Sequence, residues 1–270
     1  MRLITQTQAV LTKRHVLWTL VVRDLRVRYA QSVLGYVWTI LDPLLMSLIY
    51  YVVFTFIIRR GGSPGHEPYF LFLLTGLLPW YWFSGAVAES SRTLIQAAKL
   101  VRSTSLPREI WVARVVVSKC IEYLWSLPVL VIFTLFYVIR GHTHLNGWLV
   151  LFPLGIILQF VFLIGLGLIL APVTALVTDM QRVIRILLRM LLYATPVIYA
   201  SNLVPHPYDK ITWLNPMTGV LEMMRAGFFS HDRFPIQWGA IGVGLAVTVV
   251  TLFVGFAVFA RLERDVLKEI

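Results

Sequence analysis

The sequence contains little charge and almost no cysteine. Charged residues make up 14% of the 270 residues and apolar residues 58%, whereas a soluble domain carries about 25% charged residues. A soluble enzyme of one or two domains is therefore excluded. The single cysteine, Cys120, excludes a disulfide scaffold, and the apolar composition excludes a disordered chain. The class that remains is an integral membrane protein.

Several motifs that carry catalytic chemistry are also missing. The chain has no G-x-x-x-x-G-K-[ST] phosphate loop, no H-E-x-x-H and no C-x-x-C. ATP hydrolysis through a phosphate loop is therefore excluded, and we expect the chain not to be an enzyme. His142 and His144 could hold a metal weakly, but ordinary loop residues are the simpler interpretation, so no metal site is predicted.

Six apolar stretches predict six transmembrane helices. A helix that spans the bilayer needs about 20 mostly apolar residues. The stretches that meet this condition are 36–58, 69–90, 112–139, 148–177, 185–200 and 237–260. The fifth is the weakest, because Arg185 and Arg189 lie on its first two turns. The predicted fold is an all-α integral membrane protein, a single transmembrane domain over residues 1–270 with its six-span bundle at 36–260.

Lysine and arginine are distributed unevenly over the connections between the spans. Most of the 24 such residues fall within 1–35, 92–114, 182–189 and 261–270, which share one side of a six-span chain. The positive-inside rule places that side, with both termini and the tail 261–270, in the cytoplasm. Topology thus explains the net charge of +11, and no nucleic-acid binding is predicted.

Residues 1–35 predict a cytoplasmic amphipathic segment. The basic region is too long for a signal peptide, and no cleavage site of small residues follows a short apolar core. Apolar side chains recur instead at helical spacing, with arginines elsewhere around the helix: Trp18, Val21, Val22, Leu25 and Tyr29. We expect this helix to lie in the inner membrane interface.

The connection between the fifth and sixth spans, residues 201–236, contains a short helical pattern. Asn215 suits the N-cap and Pro216 the first helical position, and apolar residues follow at helical spacing as far as Phe228. About a dozen residues cannot span a bilayer. We expect this segment to re-enter the outer leaflet, and a helix lying flat on the outer surface is the alternative.

Three charged residues lie at least six residues inside predicted spans. Asp42 lies about 9 Å into the first span at 1.5 Å per residue. Lys119 and Glu122 lie in the third span at i,i+3, where they can pair. Charges inside a membrane are functional candidates, although an internal ion pair is the simpler interpretation of the last two. Two acids are too few for a proton relay.

Five short motifs occur in order along the chain. They are 28–38 (RYAQSVLGYVW) running into Asp42 and Pro43, 106–110 (LPREI), 178–180 (TDM), 195–198 (TPVI) and 214–217 (LNPM). Together they resemble the permease subunit of ABC transporters that export O-antigen, teichoic acid and related lipid-linked polysaccharides, the Wzm-like type-2 exporters. Two positions depart from that family: Leu106 replaces an aromatic residue, and Thr178 replaces an arginine that often precedes the aspartate.

The resemblance implies a transmembrane channel that exports a lipid-linked polysaccharide across the bacterial inner membrane. It implies a homodimer with two copies of an ATP-binding subunit at the cytoplasmic face. ATP and magnesium would belong to that partner, and no cofactor is expected in this chain. The elbow between the second and third spans would dock on the ATPase. The coupling residues implied are Lys99, Arg102, Pro107, Arg108 and Glu109.

Residues for the polysaccharide follow from its chemistry. Sugars present C–H faces and hydroxyls, which favour aromatic surfaces, and 13% of the residues are aromatic. The channel candidates are Tyr36, Trp38, Tyr193 and Tyr199, although Trp and Tyr also concentrate at membrane interfaces. A lipid-linked pyrophosphate suits arginine. The headgroup candidates are Arg26, Arg28 and Arg59, with ordinary contact to membrane lipid as the alternative.

Two other functions stay open at this point. One is an ABC exporter of a drug or a small lipid, which would share the same plan. The other is a membrane-embedded glycolipid-processing enzyme that uses Asp42 or Glu122 as a catalytic acid.

Overall fold

Every regular element that the structure describes is a helix. The computed structural model describes residues 12–30, 34–58, 65–104, 106–205, 208–229 and 235–269, and no strand occurs within these ranges. The predicted all-α class is therefore confirmed. In chain order the α-helices are α1 (Arg14–Tyr29), α2 (Trp38–Val52), α3 (Tyr69–Ser90), α4 (Thr93–Gln96), α5 (Ala98–Ser103), α6 (Glu109–Ile139), α7 (Leu151–Leu176), α8 (Met180–Ala194), α9 (Asp209–Trp213), α10 (Pro216–Arg225) and α11 (Trp238–Glu269).

Five helical segments in the described part of the chain are long and apolar enough to cross a membrane. They are Gly35–Ile57, Tyr69–Ser90, Glu109–Ile139, Gly147–Leu176 and Trp238–Glu269. The first combines a 3₁₀ turn, α2 and a π-helical stretch at Val53–Ile58, and the fourth combines a 3₁₀ turn with α7. These segments match the first four and the last of the predicted spans.

The predicted fifth span forms a shorter helix than a bilayer requires. α8 has 15 residues, or about 22 Å at 1.5 Å per residue, whereas the hydrocarbon core is about 30 Å thick. Turns at residues 195–200 follow it, and Thr195 and Val197 there are completely buried. The helix also begins earlier than expected, at Met180, so that Arg182 lies on it together with Arg185 and Arg189.

α3 forms the centre of the bundle. It packs against α2, α6, α7, α8 and α10. Within its apolar stretch of 18 residues, 83% is buried inside the protein. A helix that is apolar all round is stable in such a position, because each of its faces meets another helix. The second span is thus the core around which the other elements are placed.

Two glycines let the fourth and sixth spans approach closely. A Cβ atom on Gly165 of α7 would lie 2.7 Å from the backbone of Leu252 in α11, and one on Gly255 would collide with the carbonyl of Gly165. Small residues at such a crossing increase van der Waals contact between the backbones, which drives helix association in membranes. α7 and α11 therefore form a tightly packed pair.

α10 begins as its sequence predicts. The side chain of Asn215 accepts a hydrogen bond of 3.0 Å from the Met217 amide, and Pro216 occupies the first helical position. The helix packs against α3, α7 and α11, and Val220 and Met224 are completely buried. Its apolar residues are therefore covered by the protein itself.

The amino-terminal helix is confirmed, but only some residues of its predicted apolar face are buried. Val21 and Leu25 are buried where α1 packs against α6, whereas Trp18 is 58% exposed. The helix is thus attached to the third span through only part of the apolar set that the spacing identifies.

Candidate functional site

Four charged side chains from three helices form one network near the start of the bundle. Arg28 of α1 donates to Glu89 at the end of α3 and to Glu122 of α6. Lys119 completes the network, with its Nζ 2.8 Å from Glu122 and 3.5 Å from Glu89. The predicted pairing of Lys119 with Glu122 is confirmed, and two positive charges balance two negative ones.

Arg28 therefore has a different environment from the one expected of a headgroup ligand. Its guanidinium is used by two carboxylates of the same chain, while Arg26 is exposed on α1. Arg59 lies outside the described residues. Glu89 did not emerge from the sequence, because it lies at the very end of the second span and shows no pattern with the residues that it contacts.

A second ion pair extends the network along α1. The Arg114 guanidinium of α6 lies 3.3 Å from the Asp24 carboxylate, and it also stacks on the Trp111 ring at 5.0 Å. Burial raises the pKa of the Asp24 carboxyl above its usual value, and Arg114 offsets this effect only in part. α1 is thus held on the bundle by charges as well as by Val21 and Leu25.

A polar cavity adjoins this network between the first three spans. Its volume is about 260 Å³, and its lining includes Trp38, Asp42, Tyr81, Lys119 and Glu122. The three charges that the sequence places within the membrane therefore meet at one cavity, together with one of the four channel aromatics. Sugar rings and polar headgroups both suit such a mixture of aromatic and charged side chains.

Of the other predicted aromatics, Tyr36 and Tyr193 are exposed and Tyr199 is half-buried. Tyr36 is 41% exposed and packs edge-on against Trp125, with ring centroids 4.5 Å apart. Tyr193 is 61% exposed at the end of α8, and the Tyr199 hydroxyl donates to its carbonyl oxygen at 3.2 Å. Tyr193 and Tyr199 therefore lie together, and Tyr36 contacts the third span.

The cytoplasmic elbow separates the five expected coupling residues into two groups. Lys99 and Arg102 are exposed on α5, which the buried Val101 anchors to the core. Arg108 instead forms an ion pair with Glu263 of α11, and Glu109 is buried at the start of α6. Pro107 separates the two groups at the elbow. Only the α5 residues present charge outward.

Arg225 is the main polar anchor of the opposite end of the molecule. It is 6% exposed, and its guanidinium donates to the carbonyl oxygens of Pro196 at 2.6 Å and Val197 at 2.5 Å. It also lies over the Phe72 ring, 3.8 Å from the centroid. Because Gly76 has no side chain, the Arg225 guanidinium can occupy the space beside it. α10 is thus tied to α3 and to the turns after α8.

Comparison with known proteins places these features in a family. The family model described as "ABC-2 type transporter" matches residues 15–229. An O-antigen export system permease protein RfbA from Klebsiella pneumoniae is 30% identical over 89% of each chain, and one from Myxococcus xanthus is 30% identical over 95% of this chain and 96% of its own. A polysialic acid transport protein KpsM from Escherichia coli is 27% identical over 92% of this chain and 93% of its own.

The family match runs from α1 to the end of the α10 region, and it therefore includes the charge network, the elbow and the Arg225 anchor. Apolar spans and permease relatives together identify an integral protein of the inner membrane. The chain therefore belongs to the ABC-2 type transporter membrane family.

Proposed function

We propose that this chain is the channel subunit of an exporter that moves a lipid-linked polysaccharide out of the cytoplasm. The observation that carries the proposal is the similarity, over about nine-tenths of both chains, to permeases whose names specify O-antigen and polysialic acid. Both of these cargoes are polysaccharides. A shared carbohydrate cargo is therefore the simplest function for a chain that resembles both.

The energy for export would come from a separate ATP-binding subunit, present in two copies. The chain itself contains no phosphate loop, and α5 offers a surface for such a partner. Lys99 and Arg102 are exposed there while Val101 holds the helix on the core. Because α5 lies in the connection between α3 and α6, force applied at the elbow would reach two spans.

The proposed topology has six crossings and both termini in the cytoplasm. α8 would cross together with residues 195–200, which add buried chain beyond its 15 residues. α10 would enter the outer leaflet and return. Its burial against α3, α7 and α11 supports this arrangement, because re-entrant elements are tolerated where protein covers them.

The channel would form between two copies of the chain. Only 11% of the 18-residue apolar stretch of the first span is buried. A large apolar surface of this span is therefore available to a second subunit or to lipid. Trp38 is 43% exposed on that span and Tyr193 is 61% exposed on α8. Two copies that face each other across these surfaces would line a path with aromatic side chains.

Depletion of the protein in its native cells tests the proposal. The expected result is accumulation of a lipid-linked polysaccharide on the cytoplasmic side, with loss of that polysaccharide from the surface. Expression of the wild-type chain from a plasmid should reverse both effects. Normal surface polysaccharide after complete depletion would overturn the proposal.

The two alternatives give different results in the same cells and in purified protein. An exporter of drugs or small lipids would change drug sensitivity or lipid content and leave the polysaccharide unchanged. A glycolipid-processing enzyme would turn over substrate without an ATPase, and Asp42→Asn would abolish that turnover. Asp42 is exposed at the cavity, so this variant removes the acid without disturbing buried packing.

A further inference from the structure

α8 carries three arginines and a tyrosine on one exposed face. Arg182, Arg185, Arg189 and Tyr193 follow one another at i, i+3, i+7 and i+11, which places them within an arc of about 80° around the helix axis. All four side chains are exposed. We refer to these four residues as the arginine face.

The arginine face has no neutralising acid in the described part of the chain. No salt bridge or side-chain hydrogen bond joins Arg182, Arg185 or Arg189 to another described residue. The arginines of the charge network provide a contrast, since Arg28 and Arg114 both contact carboxylates. These guanidiniums are therefore open to a counter-charge from outside the chain.

Because α8 would cross the membrane in the proposed topology, its arginines would lie at different depths. Arg189 lies about 13 Å along the axis from the first residue of α8, at 1.5 Å per residue. Charged side chains at such depth are costly unless they meet a counter-charge or water. Arg185 and Arg189 are neighbours at i,i+4, so both guanidiniums can contact one anionic group.

The surroundings of the arginine face indicate what kind of anion fits. The flanking side chains Ile186 and Met190 are apolar and 57% and 63% exposed. A small soluble anion would satisfy the arginines and leave these side chains without a partner. A phosphate attached to a hydrocarbon chain satisfies both, because guanidinium binds phosphate through two parallel hydrogen bonds.

We propose that the arginine face of α8 binds the phosphate group of a lipid, with Arg185 and Arg189 as its principal ligands. The hydrocarbon chain of that lipid would lie along Ile186 and Met190. Binding in this sense does not depend on export. Only the identification of the bound lipid with the exported cargo rests on the proposed function.

Binding to the full chain with its ATPase partner, reconstituted in phosphatidylcholine nanodiscs, tests the proposal. The probes are farnesyl pyrophosphate, phosphatidylglycerol and inorganic pyrophosphate. The double variant R185Q/R189Q should bind farnesyl pyrophosphate at least about tenfold more weakly than the wild type. R185K/R189K keeps the charge but loses the paired hydrogen bonds. Its affinity should lie between those of the wild type and R185Q/R189Q. R261Q/R264Q removes the same charge from exposed positions of α11 and should bind like the wild type.

A second measurement uses only the wild-type chain and does not depend on the folding of a variant. Phenylglyoxal modifies accessible arginines, and mass spectrometry locates the modified sites. Farnesyl pyrophosphate should protect Arg185 and Arg189 from modification and leave Arg261 and Arg264 reactive. Equal reactivity of all four arginines with and without the probe would overturn the proposal.

The probes separate the possible sources of the phosphate. Tighter binding of farnesyl pyrophosphate than of phosphatidylglycerol supports a carrier lipid, and equal binding supports a general membrane phospholipid at the same site. Binding of inorganic pyrophosphate as tight as that of farnesyl pyrophosphate would overturn a lipid ligand. Because these assays measure binding, a wild-type chain that exports but does not bind farnesyl pyrophosphate contradicts this proposal alone. Binding by the wild type together with normal surface polysaccharide after complete depletion contradicts the proposed function alone.

Discussion

Arg28 of α1 and Glu122 of α6 form an ion pair that attaches the amino-terminal helix to the third span. Glu89 of α3 shares the same guanidinium, so one arginine joins three helices. The side chains are 24%, 10% and 21% exposed for Arg28, Glu122 and Glu89 respectively. Water screens such partly covered charges only in part, and their loss affects the attachment of α1 directly.

Replacing Arg28 should weaken the fold. Arg28→Gln leaves Glu89 and Glu122 with Lys119 as their remaining partner in the network, and we expect a loss of about 2 kcal/mol in the free energy of unfolding, less than for a fully buried pair. Thermal unfolding of the purified protein in detergent measures the effect. Arg23→Gln, at an exposed position of the same helix, is the matched control and should change the stability by about 0.5 kcal/mol or less. Equal stability of the two variants would contradict a structural role for the network.

Replacing either Arg225 or the neighbouring Gly76 should destabilise the protein. Arg225→Met leaves the carbonyls of Pro196 and Val197 without their donor, and we expect a destabilisation of about 3 kcal/mol. Gly76→Ala places a methyl group where the guanidinium lies and should act in the same direction. Because the two changes affect one contact, the double variant should lose less than the sum of the single losses. Strict additivity in the unfolding free energies would argue against a shared site.

The close crossing of the fourth and sixth spans predicts different effects for two glycines of α11. Gly255→Ala drives a methyl group into the backbone of Gly165, and we expect a loss of about 2 kcal/mol from overpacking. Gly242→Ala meets nothing within 4 Å and should be neutral or stabilising by up to about 1 kcal/mol, since alanine favours the helix. Thermal unfolding of both variants checks the prediction, and a Gly255→Ala protein as stable as Gly242→Ala would refute it.

The elbow makes a prediction about the ATP-binding partner. Reversal of both exposed charges of α5, in Lys99→Glu/Arg102→Glu, should reduce co-purification of the ATPase by about tenfold or more. Arg92→Glu lies at an exposed position just before α4 and tests whether any charge reversal on this surface has the same effect. Recovery of the ATPase should be close to wild type in that control. Undiminished recovery with the α5 variant would place the docking surface elsewhere.

The position of α10 in the membrane can be measured by cysteine labelling. We expect cysteines at Ile211 and Leu214, which are 60% and 68% exposed, to react with a membrane-impermeant maleimide added outside intact cells. Cysteines at Val220 and Met224, both completely buried, should stay unlabelled. Cys120 is replaced by serine in each of these variants, so that only the introduced thiol can react. Uniform labelling of all four positions would favour a helix lying flat on the outer surface.

Much of the fold could be predicted because apolar length is a local property. A run of about 20 apolar residues is visible in any window of that size, and five predicted spans accordingly match helices in the structure. The cap formed by Asn215 and Pro216 is equally local and is also confirmed. The fifth span is harder, because burial of residues 195–200 depends on Arg225 and on α3, which lie elsewhere in the chain.

The candidate sites depended more strongly on three-dimensional packing. The i,i+3 spacing of Lys119 and Glu122 identified one pair, but no spacing relates either residue to Glu89 or Arg28. The elbow motif similarly placed Arg108 with Lys99 and Arg102, whereas the structure pairs Arg108 with Glu263 of the last helix. A motif records which residues occur together in sequence, and it carries no information on which of them a distant helix will cover.

The sequence by itself determined that the protein resides in a membrane, where most of its spans lie and which family it resembles, because hydropathy and short motifs are read along the chain. Only the tertiary structure decided which charges meet. Arg28 reaches Glu122 because α1 packs on α6, whereas Arg185 and Arg189 form no salt bridge with a described residue. Ion pairs form over a few ångströms, and distances of that size between remote segments exist only after the helices have packed.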